Sequence, residues 1–486
     1  MANGGLLPAW KVQDLPAPPP FGFRNAILMI GPGAIALSMA IGTGEWILGP
    51  LAVVKYGYSL LWMVTLSILF QLVLNLTFLR YTLYTGEPVV SGFMRTAPGP
   101  VFWSIVYIVF ALLHVGWPYT AALTGQVIFG AIFGHLPEPP DRGTVLMLGY
   151  LTFFAAILIV AFGGKIERTL EWVNWFMVIF IVGFLLVVDI LFVPWRLWWE
   201  GLIGFVGIGG DGRFGLFPRG ADWVLLGSLA SFAAVGGIGN LWTTNWVRDK
   251  GYGMGSVVGY IPSLVGGKMV KVSPTGSVFP ITADNLSRWR QWWKYVWTDQ
   301  GLVWAVGCFI GMYLNVILAK AIFPPDANFP VLQAGAYQAN FLASHGGKIL
   351  YFLTLLNGFW IFFGSQLGVL DGFCRLSTDI LWSGSARVRA WARDDIRRVY
   401  YALLLFFAVW GCVAIRLAAP YHLVQIAANV AGFILVVAGI HGLLLNRKFL
   451  PRELQGPLWE RALTGLAVVF YALFFVASVG RLLNFW

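Results

Sequence analysis

Apolar residues run along this chain in blocks of about twenty, the length a helix needs to cross a bilayer, and most of the charge lies between them. On that ruler the pattern predicts eleven spans, at about 26–54, 58–84, 101–134, 144–163, 169–193, 223–247, 300–323, 348–370, 398–418, 421–445 and 459–484. Their boundaries are good to a few residues. The 101–134 run reads as one unbroken helix, long enough either to tilt or to extend beyond the membrane. Composition agrees: 58% of the 486 residues are hydrophobic and 11% charged, which excludes a water-soluble domain of this length.

The net charge of +11 calls for a nucleic-acid partner only until its placement is considered. With the N-terminus on the cytoplasmic side, roughly 23 of the 32 Lys and Arg fall on inner segments, as the positive-inside rule requires. The 24 Trp suit aromatic belts at the two interfaces. The expectation is an integral protein of a cell (inner) membrane, with the lipid bilayer and a small cation substrate as its partners. Residues 1–25 are polar and Pro-rich and lack the apolar core and small-residue cleavage site of a secretory signal. They read as a cytoplasmic tail. Cys308, Cys374 and Cys412 follow no ligand or disulfide spacing.

Two segments between spans are more than links. In the outer loop 194–222 the string Gly207-Ile208-Gly209-Gly210-Asp211-Gly212 fits G-x-G-x-x-G, but no strand-turn-helix unit surrounds it, so it reads as a flexible loop. The inner loop 248–299 carries Trp289, Trp292, Trp293 and Trp297 at helical spacing with cations between them, the pattern of a helix lying in the interface. Asn285-Leu286-Ser287 matches a glycosylation sequon on the wrong side of the membrane.

Two spans carry breaks. Ile41-Gly42-Thr43-Gly44-Glu45-Trp46 interrupts the first, and Ala233-Ala234-Val235-Gly236-Gly237-Ile238-Gly239-Asn240-Leu241-Trp242 interrupts the sixth. Paired glycines loosen a helix, and a carboxylate in mid-span costs about 2.5 to 3.5 kcal/mol on insertion scales, so its default reading is functional. Sorted by segment, Glu45 is the one acid in the middle of a span. The two breaks lie five spans apart, so the helices that carry them run in opposite directions. Matched breaks in inverted halves point to the central site of a transporter. The fold expected is an all-α polytopic membrane protein with a 5+5 inverted repeat: residues 26–193 form the first repeat and 223–445 the second, with an extra helix in 446–486. The bland alternative is that these glycines merely allow close packing, as Gly130-x-x-x-Gly134 is expected to do.

At this point the sequence resembles a family. Gly31-Pro32-Gly33, Tyr56-Gly57-Tyr58-Ser59-Leu60-Leu61-Trp62, Thr85-Gly86, Val369-Leu370-Asp371-Gly372-Phe373 closing the eighth span, Asn315 and Gln425 are similar to the Nramp divalent-metal transporters over about residues 26–448. The resemblance implies alternating access, with metal taken inward and usually coupled to protons. Departures fall at the site itself. Where the family has Asp-Pro-Gly-Asn this chain has Gly42, Thr43, Gly44 and Glu45; where it has Ala-x-x-Met-Pro-His the match is Ala234, Gly237, Ile238 and Gly239. Helix three of the family bears acids for proton transfer, and Tyr119-Thr120-Ala121-Ala122-Leu123-Thr124 contains none.

Loss of the thioether removes the reason to expect a transition-metal preference. What remains is oxygen chemistry: Glu45, Thr43 and Asn240 as metal ligands, with Asn315, Gln425 and carbonyls freed near Gly42 and Ala234, around a hard ion that keeps part of its water. Magnesium-like ions are expected ahead of manganese, as substrate rather than cofactor, and Gly236, Gly237 and Gly239 are expected to widen the cavity. Glu45 is also the proton-coupling candidate, since a desolvated carboxyl can load protonated and exchange its proton for the cation. An alternative cargo is an organic cation or zwitterion held by Trp46, Trp117 and Trp242 through cation–π contacts. A second alternative is a non-transporting sensor. Enzyme chemistry is not expected, because His114, His135, His345, His422 and His441 are scattered and form no catalytic motif; His114 and His441 read as packed or hydrogen-bonded residues before proton relays.

Overall fold

The computed structural model describes residues 7–135, 137–162, 166–218, 220–263, 272–323, 334–416 and 420–483. Among the described residues ten helices are long and apolar enough to cross a membrane: α1 (Pro32–Tyr56), α2 (Tyr58–Thr85), α3 (Pro100–Phe133), α4 (Pro139–Ala161), α5 (Ile166–Phe192), α7 (Ala283–Ile322), α8 (Tyr337–Gly384), α9 (Ile396–Ala414), α10 (Leu423–Phe449) and α11 (Leu458–Leu482). The eleventh, α6, is two pieces, α6a (Trp223–Phe232) and α6b (Ile238–Lys250). Both expected breaks are present. Helix α1 runs as Pro32–Ala40, leaves helical geometry at Ile41 with ψ of 66°, and resumes through a π-helical turn at Gly44–Leu48.

Burial follows position. The most hydropathic stretches of α1 and α2 are 89% and 78% buried inside the protein, whereas those of α5, α9 and α11 are 33% buried. Helices α1 and α2 are therefore central, and the other three present most of their surface outward, where lipid replaces protein.

Three expectations need correction. The 101–134 run is not one helix: it breaks at Gly116-Trp117-Pro118 into α3a (Pro100–Val115) and α3b (Tyr119–Phe133), because Pro118 has no amide hydrogen to donate and restricts the residue before it. The motif Val369-Leu370-Asp371-Gly372-Phe373 does not close α8, which continues to Gly384. Nor does the Trp-rich helix lie in the interface. Ala283–Val296 passes through π-helical turns at Trp297–Ala305 straight into the membrane part of α7. Its aromatic face is covered by the N-terminal tail.

That tail is a strap. Lys11–Val12 pair in parallel with Ser277–Val278. Further along, the Leu15 amide donates to Asn285 Oδ1 at 3.1 Å, Trp292 Nε1 to the Pro16 carbonyl at 2.8 Å, and the Tyr295 hydroxyl to the Pro19 carbonyl at 3.1 Å. Asn285, only 1% exposed, is thus a structural anchor rather than a sequon. Trp10 Nε1 donates to Glu87 at 3.1 Å, while Arg95 pairs with Glu87 and lies over the Trp10 ring at 4.7 Å. Burial pushes the Glu87 carboxyl up, but Arg95 and the hydrogen bonds from Tyr81 and Gly276 outweigh it and hold the group below the usual carboxylate range.

On the same face a buried ion cluster ties α6b to α8. Arg248 pairs with Asp249 at 2.6 Å and Asp379 at 2.5 Å; Arg375 pairs with Asp249 and, at 2.9 Å, with Asp371. Asp371 also accepts from Trp246 at 2.8 Å and Tyr400 at 2.7 Å. Each charge is thereby paired and hydrogen-bonded, the condition on which burying it depends. Removing one strap anchor is a direct check on this arrangement. In the Asn285→Ala variant, limited proteolysis between residues 7 and 22 is expected to accelerate roughly several-fold, as local opening becomes easier; unchanged cleavage would show that the strap is held elsewhere.

Candidate functional site

The two broken helices cross in direct backbone contact. A Cβ built on Gly44 would stand 1.8 Å from the Phe232 carbonyl oxygen, and one on Gly42 would stand 2.4 Å from Ser365 Oγ. Only glycine permits that approach. In α6 the chain turns through Gly236 and Gly237, with φ of +75° and +52°, backbone that side chains with a Cβ rarely adopt.

Opening a helix inside a membrane frees amides and carbonyls that water cannot reach. One side chain of α2 answers most of that need at α6. Gln71 Oε1 accepts from the Gly236 amide at 2.9 Å, and its Nε2 donates to the Ser231 carbonyl at 3.3 Å and to Ser67 Oγ at 3.1 Å. The Ile238 amide donates to His114 Nδ1 at 3.4 Å, which puts the proton of a neutral ring on Nε2. His441 is likewise held, by Thr96 Oγ1 at 2.7 Å and the Tyr107 hydroxyl at 3.0 Å.

Where the breaks of α1, α3 and α6 converge on α8 there is a small cavity of ≈ 30 Å³, room for a water or two. Its polar wall is Thr43, Tyr119, Thr120, Ser365 and His114; Met39, Phe232 and Trp242 supply the apolar side. No carboxylate stands among the described lining residues. Trp242 is fully buried, and its Nε1 has no hydrogen-bond partner among the described residues.

The sequence candidates divide. Thr43 and Ala234 line the cavity. Glu45 does not: it is fully buried with both oxygens unpartnered among the described residues, in a turn packed against α6a and α7, within electrostatic reach of Cys308. Asn240 is turned toward α2, where its Nδ2 donates to Asn75 Oδ1 at 2.9 Å. Asn75 donates in turn to Gln300 at 3.0 Å, Gln300 to Asp299 at 2.8 Å, and Asp299 accepts the Gly31 and Gly33 amides at the start of α1. Asn315 donates to the Gly311 carbonyl of its own helix at 2.8 Å, leaving its buried Oδ1 without a partner among the described residues. Gln425 stands half-buried on α10 with its carbonyl accepting from Asn429 at 2.9 Å, outside the cavity lining.

The glycines correct another expectation. Gly237 does not widen the cavity, because a Cβ there would meet the α10 backbone, 2.7 Å from Ala431 Cα; of the three glycines only Gly239 lines it. Trp46 and Trp117 are also turned away, with Nε1 donating to Gln338 at 3.1 Å and to the Leu113 carbonyl at 3.0 Å. Nor is Glu45 alone as a buried acid inside a long helix: Asp189, Asp299 and Asp371 are 0% exposed too.

Sequence reasoning passed over Ser67, Gln71 and Asn75. Their signal was available, since polar residues at i, i+4 and i+8 make one face of an otherwise apolar helix. It also passed over Met39 and placed His114 only as a packed or hydrogen-bonded residue; together they return a thioether and an imidazole to the cavity from positions the family motif does not mark.

Helices broken at matching positions of two halves, around a small chamber between them, define an integral membrane protein of the 5+5 inverted-repeat architecture. Solved structures identify the nearer likeness. Two variants of the manganese transporter of Eremococcus coleocola each superpose with a TM-score of 0.62 at 14% identity, covering 98% of this chain and 90% of theirs. The same transporter in complex with an aromatic bis-isothiourea compound gives 0.60 at 13% identity, with the same coverage. A nucleobase-cation-symport-1 family transporter, closed with bromovinylhydantoin bound, gives 0.52 at 12% identity, covering 93% of this chain and 90% of the other. No protein-family model and no curated protein matches the sequence. At these identities the shared property is the fold, and it is the fold that the Nramp resemblance implies.

Two substitutions check the geometry of the breaks. Gln71→Leu leaves the Gly236 amide and the Ser231 carbonyl unpaired, at about 1 to 3 kcal/mol for each. A clear fall in the thermal unfolding midpoint of the purified protein is expected. Gly44→Ala drives a methyl into the Phe232 carbonyl and is expected to abolish the monodisperse peak in size-exclusion chromatography.

Proposed function

We propose that this protein is a secondary active transporter that carries a small solute by alternating access, with Glu45 as the carrier of a coupling proton or cation. The observation that supports this reading is the separation of two chemistries around one broken helix. The chamber on one side is walled by hydroxyls, an imidazole and aromatic rings. The carboxyl of Glu45 lies outside it, against α7, buried and unpartnered among the described residues.

The character of the wall favours an organic cation or zwitterion as cargo, for which the water-sized chamber of this structure must widen during the cycle. Aromatic faces attract an ammonium group, and the N-terminal ends of half-helices attract a carboxylate. A divalent ion prefers several anionic oxygens, and among the described residues no three His, Cys, Asp or Glu side chains gather as a metal cluster.

A second reading keeps a hard divalent cation, magnesium ahead of manganese, moved inward. Its support is the pair of unpartnered Glu45 oxygens and the fold shared with a manganese transporter. It requires the π-helical turn at Gly44–Leu48 to rotate during the cycle, bringing Glu45 to Thr43 in the chamber. In either reading the N-terminus and its strap are cytoplasmic, as the distribution of Lys and Arg supports.

Uptake into liposomes separates the readings. With magnesium, manganese, calcium and a panel of small amines and amino acids, each with and without a pH gradient, the organic reading predicts saturable uptake of an amine or amino acid and none of the metals; the reverse result establishes the metal reading. Glu45→Gln is expected to uncouple uptake from the pH gradient while the protein stays folded. Full gradient-driven uptake in that variant removes Glu45 from the mechanism.

A further inference from the structure

On the face that carries the N-terminal strap, two cavities meet where α10 turns into α11. One, of ≈ 640 Å³, runs from Trp103, Ile440 and Leu444 up to Arg447 and Lys448. The other, of ≈ 560 Å³, is lined by Asn446, Arg447, Arg452 and Arg461 among others. Arg447 lines both, so the two adjoin and are treated together as one groove.

Its charge is lopsided. Arg447, Lys448, Arg452 and Arg461 are all exposed, and none makes an ion pair among the described residues. The acid in the lining, Glu460, is already taken by Arg80 in two hydrogen bonds of 2.7 and 2.6 Å. Glu453 on the intervening turn is exposed and stands outside both linings.

Its polarity changes over one helical turn. Ile440 and Leu444 are 47% and 56% exposed, and Leu458 and Trp459 open α11 at 74% and 48%, as side chains facing acyl chains would be. The cations begin three residues beyond Leu444, about 4.5 Å higher along the helix axis. Asn446 fixes the floor of the groove: it is 7% exposed, and its Nδ2 donates to the Thr77 carbonyl of α2 at 2.8 Å.

We propose that this groove binds an anionic glycerophospholipid from the leaflet on the N-terminal side. Arg447, Arg452 and Arg461 hold its phosphate, and Ile440 and Leu444 its acyl chains. Basic pockets between membrane helices recognise phosphate headgroups by this combination of fixed cations over an apolar wall. A free phosphate would use the cations and leave the apolar half of the groove empty.

Native mass spectrometry of the full-length protein, with phosphatidylglycerol or phosphatidylcholine of identical chains, tests the assignment. Phosphatidylglycerol is expected to be retained at least ten-fold better than phosphatidylcholine. Combining Arg447→Gln, Arg452→Gln and Arg461→Gln should erase that preference and leave phosphatidylcholine retention as it was. Should the triple variant not fold, Arg452→Gln alone, on an exposed turn, should lower the preference roughly three-fold, and Arg213→Gln, exposed on the loop between α5 and α6a, should not change it. Equal retention of the two lipids by the unaltered protein, undiminished preference in the Arg452→Gln variant, or displacement of the lipid by equimolar inorganic phosphate would overturn the proposal.

Discussion

A helix interrupted inside a bilayer leaves amides and carbonyls that must find partners within the protein, and the centre of this molecule is arranged around meeting that demand. Gln71 supplies both a donor and an acceptor to the loop of α6, and His114 takes a second amide. Glycine does the complementary work. At Gly44 it lets the α1 backbone come up against the Phe232 carbonyl, so the two interrupted helices touch without side chains between them. The chamber is the space left beside that crossing, which is why its walls come from the breaks of α1, α3 and α6.

Much of the architecture was legible in the chain. Runs of about twenty apolar residues locate the spans, and paired glycines mark both interruptions, because these depend on local composition. The third interruption was as plainly written, in Gly116-Trp117-Pro118, and was overlooked because apolar residues continue on both sides of it. Direction within the site was not legible. After a residue such as Gly237, at φ +52° and ψ −122°, the next helix can point any of its faces at the chamber, and periodicity carries no phase across the gap. Asn240 therefore went to α2 and Trp242 to the cavity. Glu45 met the same ambiguity in the π-helical turn of α1, whose extra residue per turn shifts the facing of every later side chain on that helix.

Charges concentrate on the N-terminal face, in a manner that composition alone conceals. Three carboxylates, Asp249, Asp371 and Asp379, surround two guanidiniums, Arg248 and Arg375, with little access to water. Separating such partners leaves uncompensated buried charge, at about 3 to 5 kcal/mol for each pair broken. Helices α6b and α8 are therefore firmly joined on that side. The strap, seated on α7 and on the loop after α2, adds a second fastening next to the start of α1.

The amide line from Asn240 through Asn75 and Gln300 to Asp299 has a mechanical meaning. It behaves as a tie rod between the inner halves of α6 and α1, passing through α2 and α7. If α6b is displaced, either the Asn240 link parts or Asn75 is dragged along, and the pull arrives at the carboxylate seated on the Gly31 and Gly33 amides. As long as the Asn240 link holds, the two ends of this line are joined by a route that does not pass through the chamber between them.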